Sequence, residues 1–413
     1  MAPSFIPLET VRGLDRGPLV SHVGAYIERA RSAGYAPKTV LVHVQLIASL
    51  NQYLRRTRRA ACDIDERLIA RFIRRDARAR WSPGPSVTLR RLLVVLRESK
   101  AAPAALTPLD TRTPAQRFTE EFRAYLRKER GLSETSIYGY AFAVDSFLSQ
   151  MFGRGKVSFA RLTGCDVTDF LRWEIQRRQL HCTDNLLAGM RAFLRFLHYR
   201  GRVKTDLSPV VPRAAKWSLA GLPKHLPPGA AAKVLAACDR SRPRGRRDYA
   251  ILLLLARLGL RGGEVLRLTL DDIDWGNGQI LVRSRKGPGY ARMPLPKDAG
   301  RAITAYLRKD RPRCASRRVF LRVIAPYEPL SKSTAVLSVM VGHYFMLAGI
   351  KAVRTGAHAF RHTLATDLLR GGASLAEIGQ VLRHNNPNST AIYAKVDLKA
   401  LRALAQPWLG GAS

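Results

Sequence analysis

Leu258-Gly259-Leu260-Arg261-Gly262-Gly263-Glu264-Val265-Leu266-Arg267-Leu268 places one arginine where a tight, glycine-containing approach runs into a helix. The planar guanidinium fork of Arg261 suits bidentate contact with a phosphate, which an ammonium cannot match. Glu264 follows one helical turn later and can orient that fork. Taken alone, such a pair reads as a solvated ion pair on a helix. Its surroundings give it meaning. Residues 229 to 267 are patterned as helices, and Gln279 to Leu295 as a β-hairpin. The hairpin runs Ile280-Leu281-Val282, a Gly287-Pro288-Gly289 turn, then Met293-Pro294-Leu295. Further helices are expected at 297–308, 333–349, 357–370, 374–383 and 387–405. The C-terminal part is therefore mainly α with a small β-sheet.

Upstream, residues 209–228 hold Pro209, Pro212, Pro223, Pro227 and Pro228, with Gly221 among them. Helices do not persist through such spacing, so this is the main linker. A weaker break falls at 101–114, rich in Ala, Pro and Thr. The expected domains are 1–110, 111–208 and 229–413. The first two share an order of features. Tyr26-Ile27-Glu28-Arg29 and Gly34-Tyr35-Ala36-Pro37 in one match Tyr125-Leu126-Arg127-Lys128 and Gly131-Leu132-Ser133-Glu134 in the other. Cys62-Asp63-Ile64 pairs with Cys165-Asp166-Val167, each read as starting a helix. Leu89-Arg90-Arg91-Leu92 pairs with Met190-Arg191-Ala192-Phe193. The shared order favours duplication of a small helical domain over chance similarity of amphipathic helices.

Charge narrows the partner. Seventy Lys and Arg face 31 Asp and Glu, a formal net charge of +39 over 413 residues. Self-repulsion of that size works against a compact state unless a polyanion relieves it, and nucleic acid is the leading candidate. Arginine clusters stand at 55, 56, 58 and 59 and at 71, 74, 75, 78 and 80. Five scattered cysteines form no CxxC pair, which supports neither a disulfide framework nor a zinc site and fits a reducing cytoplasm. Neither a signal peptide nor a membrane-spanning run is expected.

Three further stretches carry chemistry. Lys286 sits at the hairpin turn, where an ammonium could protonate a leaving alkoxide, with Arg283, Arg285 and Arg292 around it as DNA contacts. In His358-Ala359-Phe360-Arg361-His362, His358 and Arg361 are spaced to share a helix face and reach one phosphate. Phe360 and His362 are read as pointing elsewhere, to the core and to a structural hydrogen bond. A metal on His358 and His362 is disfavoured, because a zinc protease would need Glu at Ala359. Finally, Leu382-Arg383-His384-Asn385-Asn386-Pro387-Asn388-Ser389-Thr390-Ala391-Ile392-Tyr393 breaks one helix and opens the next at Ser389-Thr390, with Tyr393 early in it.

In this order the motifs resemble the tyrosine recombinase, or phage integrase, family. The family's arginine, hairpin lysine, H-x-x-R pair, second histidine and tyrosine correspond here to Arg261, Lys286, His358 with Arg361, His384 and Tyr393. The likeness covers most of residues 223–405. More loosely, 115–202 resemble the family's helical core-binding domain. Two departures stand out: Arg383 replaces the usual Gly before the second histidine, and Gly262-Gly263 is looser than the usual residues.

The resemblance implies tandem helical SAM-like or core-binding domains ahead of a catalytic domain. It implies a site-specific recombinase acting in integration, transposition or resolution through a 3′-phosphotyrosine. Arg261 and Arg361 would clamp the phosphate and Glu264 support them. Tyr393 would attack, Lys286 protonate the leaving 5′-oxygen, His358 assist proton transfer, and His384 donate a hydrogen bond. No metal or nucleotide cofactor is expected. Arg91 and Arg191 are candidate DNA contacts in the helical domains. The partner would be double-stranded DNA, bound by a homo- or hetero-tetramer that can include sister recombinases, in a bacterial, nucleoid-associated setting. A tail helix at 398–408 would dock on a neighbouring subunit or on its own domain. The alternatives are a type IB topoisomerase-like enzyme and a non-catalytic DNA-binding subunit.

Overall fold

A computed structural model describes residues 11, 13–104, 112–153, 155–178, 184–213, 225–283, 289–331, 333–350, 356–384 and 386–396. Five helices come first: α1 (Val20–Ser32), α2 (Pro37–Arg56), α3 (Glu66–Arg75), α4 (Ala77–Trp81) and α5 (Pro85–Glu98). Pro37 and Pro85 stand in the first turns of α2 and α5, where a missing N–H costs nothing. The Asp65 carboxylate accepts from the Leu68 amide at 2.6 Å and starts α3. Leu19, Val40, Val44, Ile47, Phe72 and Leu89 are buried in their common core.

Four helices follow: α6 (Pro114–Lys128), α7 (Glu134–Phe152), α8 (Gly164–Arg178) and α9 (Asp184–Tyr199). Thr113 and Gln116 cap α6 reciprocally, at 3.2 and 2.9 Å. Gly131, at φ +59°, separates α6 from α7 as Gly34, at +85°, separates α1 from α2. Those left-handed positions are ones a side chain rarely adopts. The two segments differ at their Cys-Asp stretches. Cys165-Asp166-Val167 lies in the first turn of α8, but Ala61–Asp63 is a separate 3-10 turn, and the Asp65 cap delays α3 to Glu66. The expectation of a helix start there therefore holds only for the second segment. An aromatic core fills this domain: the Phe193 ring lies 5.3 Å from Phe122 and 6.0 Å from Phe159.

Beyond the linker come α10 (Ala230–Ala236), α11 (Pro243–Leu258), α12 (Gly262–Arg267), β1 (Ile273–Asp274), β2 (Gln279–Arg283), β3 (Tyr290–Pro294), α13 (Lys297–Lys309), α14 (Ala335–Leu347), α15 (Ala357–Arg370), α16 (Leu375–Leu382) and α17 (Asn388–Ala391). The sheet is antiparallel in the order β1-β2-β3, with Gln279 opposite Pro294 and Arg283 opposite Tyr290. The apolar α11, buried from Ala250 to Leu255, is the centre of the core. One expected helix is not formed as such. In place of a continuous helix from 387, α17 gives way to a 3-10 segment, Ile392–Val396. This tighter winding accompanies burial of Tyr393 against Ala365, Ile378 and Leu382.

Two compact units result: α6–α9 form one, and α1–α5 together with all elements from α10 onward form the other. Within the latter, the Tyr327 amide donates to the Ala33 carbonyl at 3.1 Å. Among the described residues no helix is long and apolar enough to cross a membrane.

Phe193→Ala should cost about 3–5 kcal/mol, because the cavity would open at the centre of the aromatic cluster. A guanidinium unfolding curve of the full chain checks this; a midpoint unchanged from wild type would contradict it.

Candidate active site

The site is built where helix ends meet. α11 stops at Gly259, which adopts φ +56°. A Cβ there would come within 2.9 Å of Leu382 and 3.0 Å of Leu364, so the close approach of α15 and α16 also requires glycine. α16 stops at Leu382, followed by Arg383 in the left-handed region at φ +55°. Both ends present carbonyls without helical partners. Arg361 of α15 satisfies them: its Nη1 donates to the Gly259 carbonyl at 2.6 Å and its Nη2 to the Leu382 carbonyl. Arg361 is only 4% exposed. Burial, with Arg261 and Arg383 nearby, lowers its pKa to about 10, which still leaves it cationic at neutral pH.

Arg261 caps α12, and Glu264 returns the contact. The Glu264 carboxylate accepts from the Arg261 amide at 2.8 Å and from its Nη1 at 3.0 Å. A third donor is Arg383, whose Nη2 reaches Glu264 at 3.0 Å. The Arg383 carbonyl accepts from Arg261 Nη2 at 3.3 Å. Burial works to raise the Glu264 pKa, but Arg383 and Arg261 outweigh it and hold the carboxyl below its ordinary value. Two guanidiniums thus pair with one carboxylate, and Arg361 adds a third positive charge nearby. The two family departures acquire reasons. Arg383 takes the left-handed turn that glycine would take and adds a cation that glycine could not. A Cβ on Gly262 would lie 3.1 Å from Leu337 and 3.4 Å from Ala357, so its smallness serves packing.

His384 follows Arg383, with its Nδ1 2.7 Å from the Thr390 hydroxyl. Thr390 is thus engaged by its side chain and does not cap α17; the cap position is Pro387. Burial, then Arg361, Arg261 and Arg383, depress the His384 pKa to about 4, so the ring is neutral at physiological pH. Tyr393 is 2% exposed. Burial raises its phenol above the ordinary value, and Arg361 pulls the other way. The Tyr393 hydroxyl lies 2.9 Å from His362 Nδ1. The hydrogen bond expected of His362 is thus formed, with Tyr393 as its partner. His362 follows His358 by one helical turn on α15, their ring centroids are 6.4 Å apart, and His358 is the exposed member. The i, i+4 spacing could have revealed this shared face in the sequence.

The other candidate residues stand as follows. Lys286 and Arg285 lie outside the described residues, as does the 398–408 tail. Arg283 donates to Asp272 at 2.8 Å, and Arg292 is exposed on β3. Arg91 donates to the Tyr35 hydroxyl and lies 5.0 Å over its ring. Arg191 donates to the Pro212 carbonyl at 3.1 Å.

Residues 224–399 match the family model for the phage integrase family, and 119–201 match its N-terminal SAM-like domain. The protein y4rA of Sinorhizobium fredii, named an integrase/recombinase, is 39% identical over 396 residues, 96% of each chain. The tyrosine recombinase XerD of Lacticaseibacillus casei is 27% identical, covering 69% of this chain and 95% of its own. In fold, the chain resembles the XerH site-specific recombinase in a post-cleavage complex with difH, with a TM-score of 0.54 at 22% identity over 70% of this chain and 84% of that one. It also resembles a lambda integrase dimer on a core site, with a TM-score of 0.51 at 15% identity over 71% and 98%. These matches define a tyrosine-type DNA strand transferase with a SAM-like domain ahead of its catalytic domain. The chain belongs to the phage integrase family of tyrosine recombinases.

Two outcomes follow from the site's electrostatics. Glu264→Ala leaves clustered guanidiniums without their carboxylate and should destabilise the protein by about 3–5 kcal/mol. Arg383→Gly removes one of two cationic partners of Glu264, leaves Arg261 in place and relaxes the left-handed turn, so it should cost less than Glu264→Ala. Equal shifts of the two denaturation midpoints would contradict this ranking. His384, with a folded pKa of about 4 against about 6.5 unfolded, lets the unfolded chain bind the extra proton between those values. Its contribution is therefore complete above pH ~6.5 and is lost as pH falls towards ~4. His384→Gln should flatten that part of the stability–pH curve relative to wild type.

Proposed function

We propose that this chain binds double-stranded DNA and recombines it at specific sites through a 3′-phosphotyrosine on Tyr393. One observation carries the reading: Arg361 binds the ends of α11 and α16 together, and Arg261, His384 and Tyr393 stand around that junction. A phosphodiester entering there meets two arginines that neutralise its non-bridging oxygens. In the tautomer whose Nδ1 accepts from the Thr390 hydroxyl, neutral His384 carries its proton on Nε2 and donates it to the same phosphate. Tyr393 attacks phosphorus, and Lys286, between β2 and β3 in the sequence, protonates the departing 5′-oxygen. His358 assists from the exposed side of α15. Phosphodiester energy is kept in the phosphotyrosine, so rejoining needs no nucleotide.

The formal charge of +39 supports a DNA partner. So do the fold relatives, whose structures hold difH substrate or core-site DNA. The α1–α5 domain adds a further DNA-binding surface, with basic α2 and α3 ends, to the SAM-like domain. A tetramer, of this chain alone or with sister recombinases, brings two duplexes together.

Nicked suicide duplexes drawn from DNA flanking the gene test the proposal. A covalent adduct should form with wild type and vanish in Tyr393→Phe. Tight binding with no adduct on any flank would point to a non-catalytic subunit. Adducts on arbitrary DNA would point to a topoisomerase-like activity.

A further inference from the structure

We infer that His362 is a catalytic residue of the nucleophile side, accepting the Tyr393 proton as the tyrosine attacks DNA. This rests on the proposed role of Tyr393, but on a contact that no motif assigned. His362 Nδ1 lies 2.9 Å from the Tyr393 hydroxyl, within range for direct proton transfer, with the rings 5.7 Å apart at 56°. Tyr393 is packed among Ala365, Ile378 and Leu382, so water does not compete for its hydroxyl. A buried phenol resists ionising, and the Arg361 cation offsets that only in part. An adjacent basic nitrogen removes the difficulty. His384 is turned to Thr390, and His358 stands on the exposed side of α15. His362 thus faces the hydroxyl directly.

The step balances. The Tyr393 O–H bond breaks and its proton passes to His362 Nδ1, which requires the neutral ring to start with its proton on Nε2. The freed electron pair forms the bond from the tyrosine oxygen to phosphorus. The bond from phosphorus to O5′ breaks, its pair stays on O5′, and that oxygen takes a proton from Lys286. Rejoining runs the same transfers backwards, His362 returning the proton to Tyr393.

The test uses full-length protein and a suicide duplex, either all-oxygen or with a 5′-bridging sulfur, which leaves without needing a proton. His362→Ala and His362→Gln should cleave the all-oxygen duplex about 100-fold or more slowly than wild type. Glutamine retains a polar contact but has no basic nitrogen. The sulfur substrate should relieve Lys286→Ala and leave both His362 variants slow. Placing difluorotyrosine at position 393, whose phenol ionises more readily, should restore the His362 variants by about 10-fold or more. Near-wild-type cleavage by both variants overturns the inference. So does relief by the sulfur substrate, which would put His362 on the leaving-group side. A deficit that difluorotyrosine does not lift overturns it too, since His362 would then only position the ring. Failure of wild type to form any adduct would instead overturn the proposed role of Tyr393 itself.

Discussion

A buried guanidinium holds the catalytic domain in its working arrangement. Arg361 lies almost wholly out of water, where an isolated charge is expensive. It is tolerated because two helices end on it. The Gly259 and Leu382 carbonyls are the negative ends of α11 and α16, and they lack helical partners. Each side solves the other's problem. The carbonyls compensate the cation, and the cation fixes where the two helices end. The left-handed residues at 259 and 383 turn the chain away sharply enough for those ends to meet.

The rest of the site rests on that junction. Glu264 holds Arg261 and Arg383 beside Arg361, so like charges are kept closer than they would choose to be. Burial first, and that crowding second, lower the pKa values of Arg361 and His384. A phosphate diester, as proposed above, would bring such a cluster negative charge. The same preference, spread over the molecule, is expressed by the +39 formal charge.

Arg383 shows how a departure from a family pattern can be absorbed. Glycine is favoured at a helix C-cap because its backbone accepts positive φ without strain. Arginine accepts that strain here, and its side chain folds back onto Glu264 and against Met293 of β3. The turn is preserved, and the acid that orients Arg261 gains a second cationic partner.

The sequence by itself determined the class of the protein and most of its elements. Helical periodicity and capping residues are local, so α13 to α16 fall within about two residues of where patterning places them. The spacing of Arg261, His358, Arg361, His384 and Tyr393 is also written in the chain. Tertiary structure alone decided which groups touch. Two histidines four residues apart share a helix face, and nothing local says which one meets a tyrosine 31 residues away. The third strand β1 forms only because β2 offers it an edge. The chain around Tyr393 winds as a 3-10 segment, not the expected α-helix, as the ring is buried against α15 and α16. Arg383 reads as a substituted turn residue until α12 brings Glu264 to it from 119 positions away. Such contacts depend on packing between distant segments, which periodicity and local propensity do not encode.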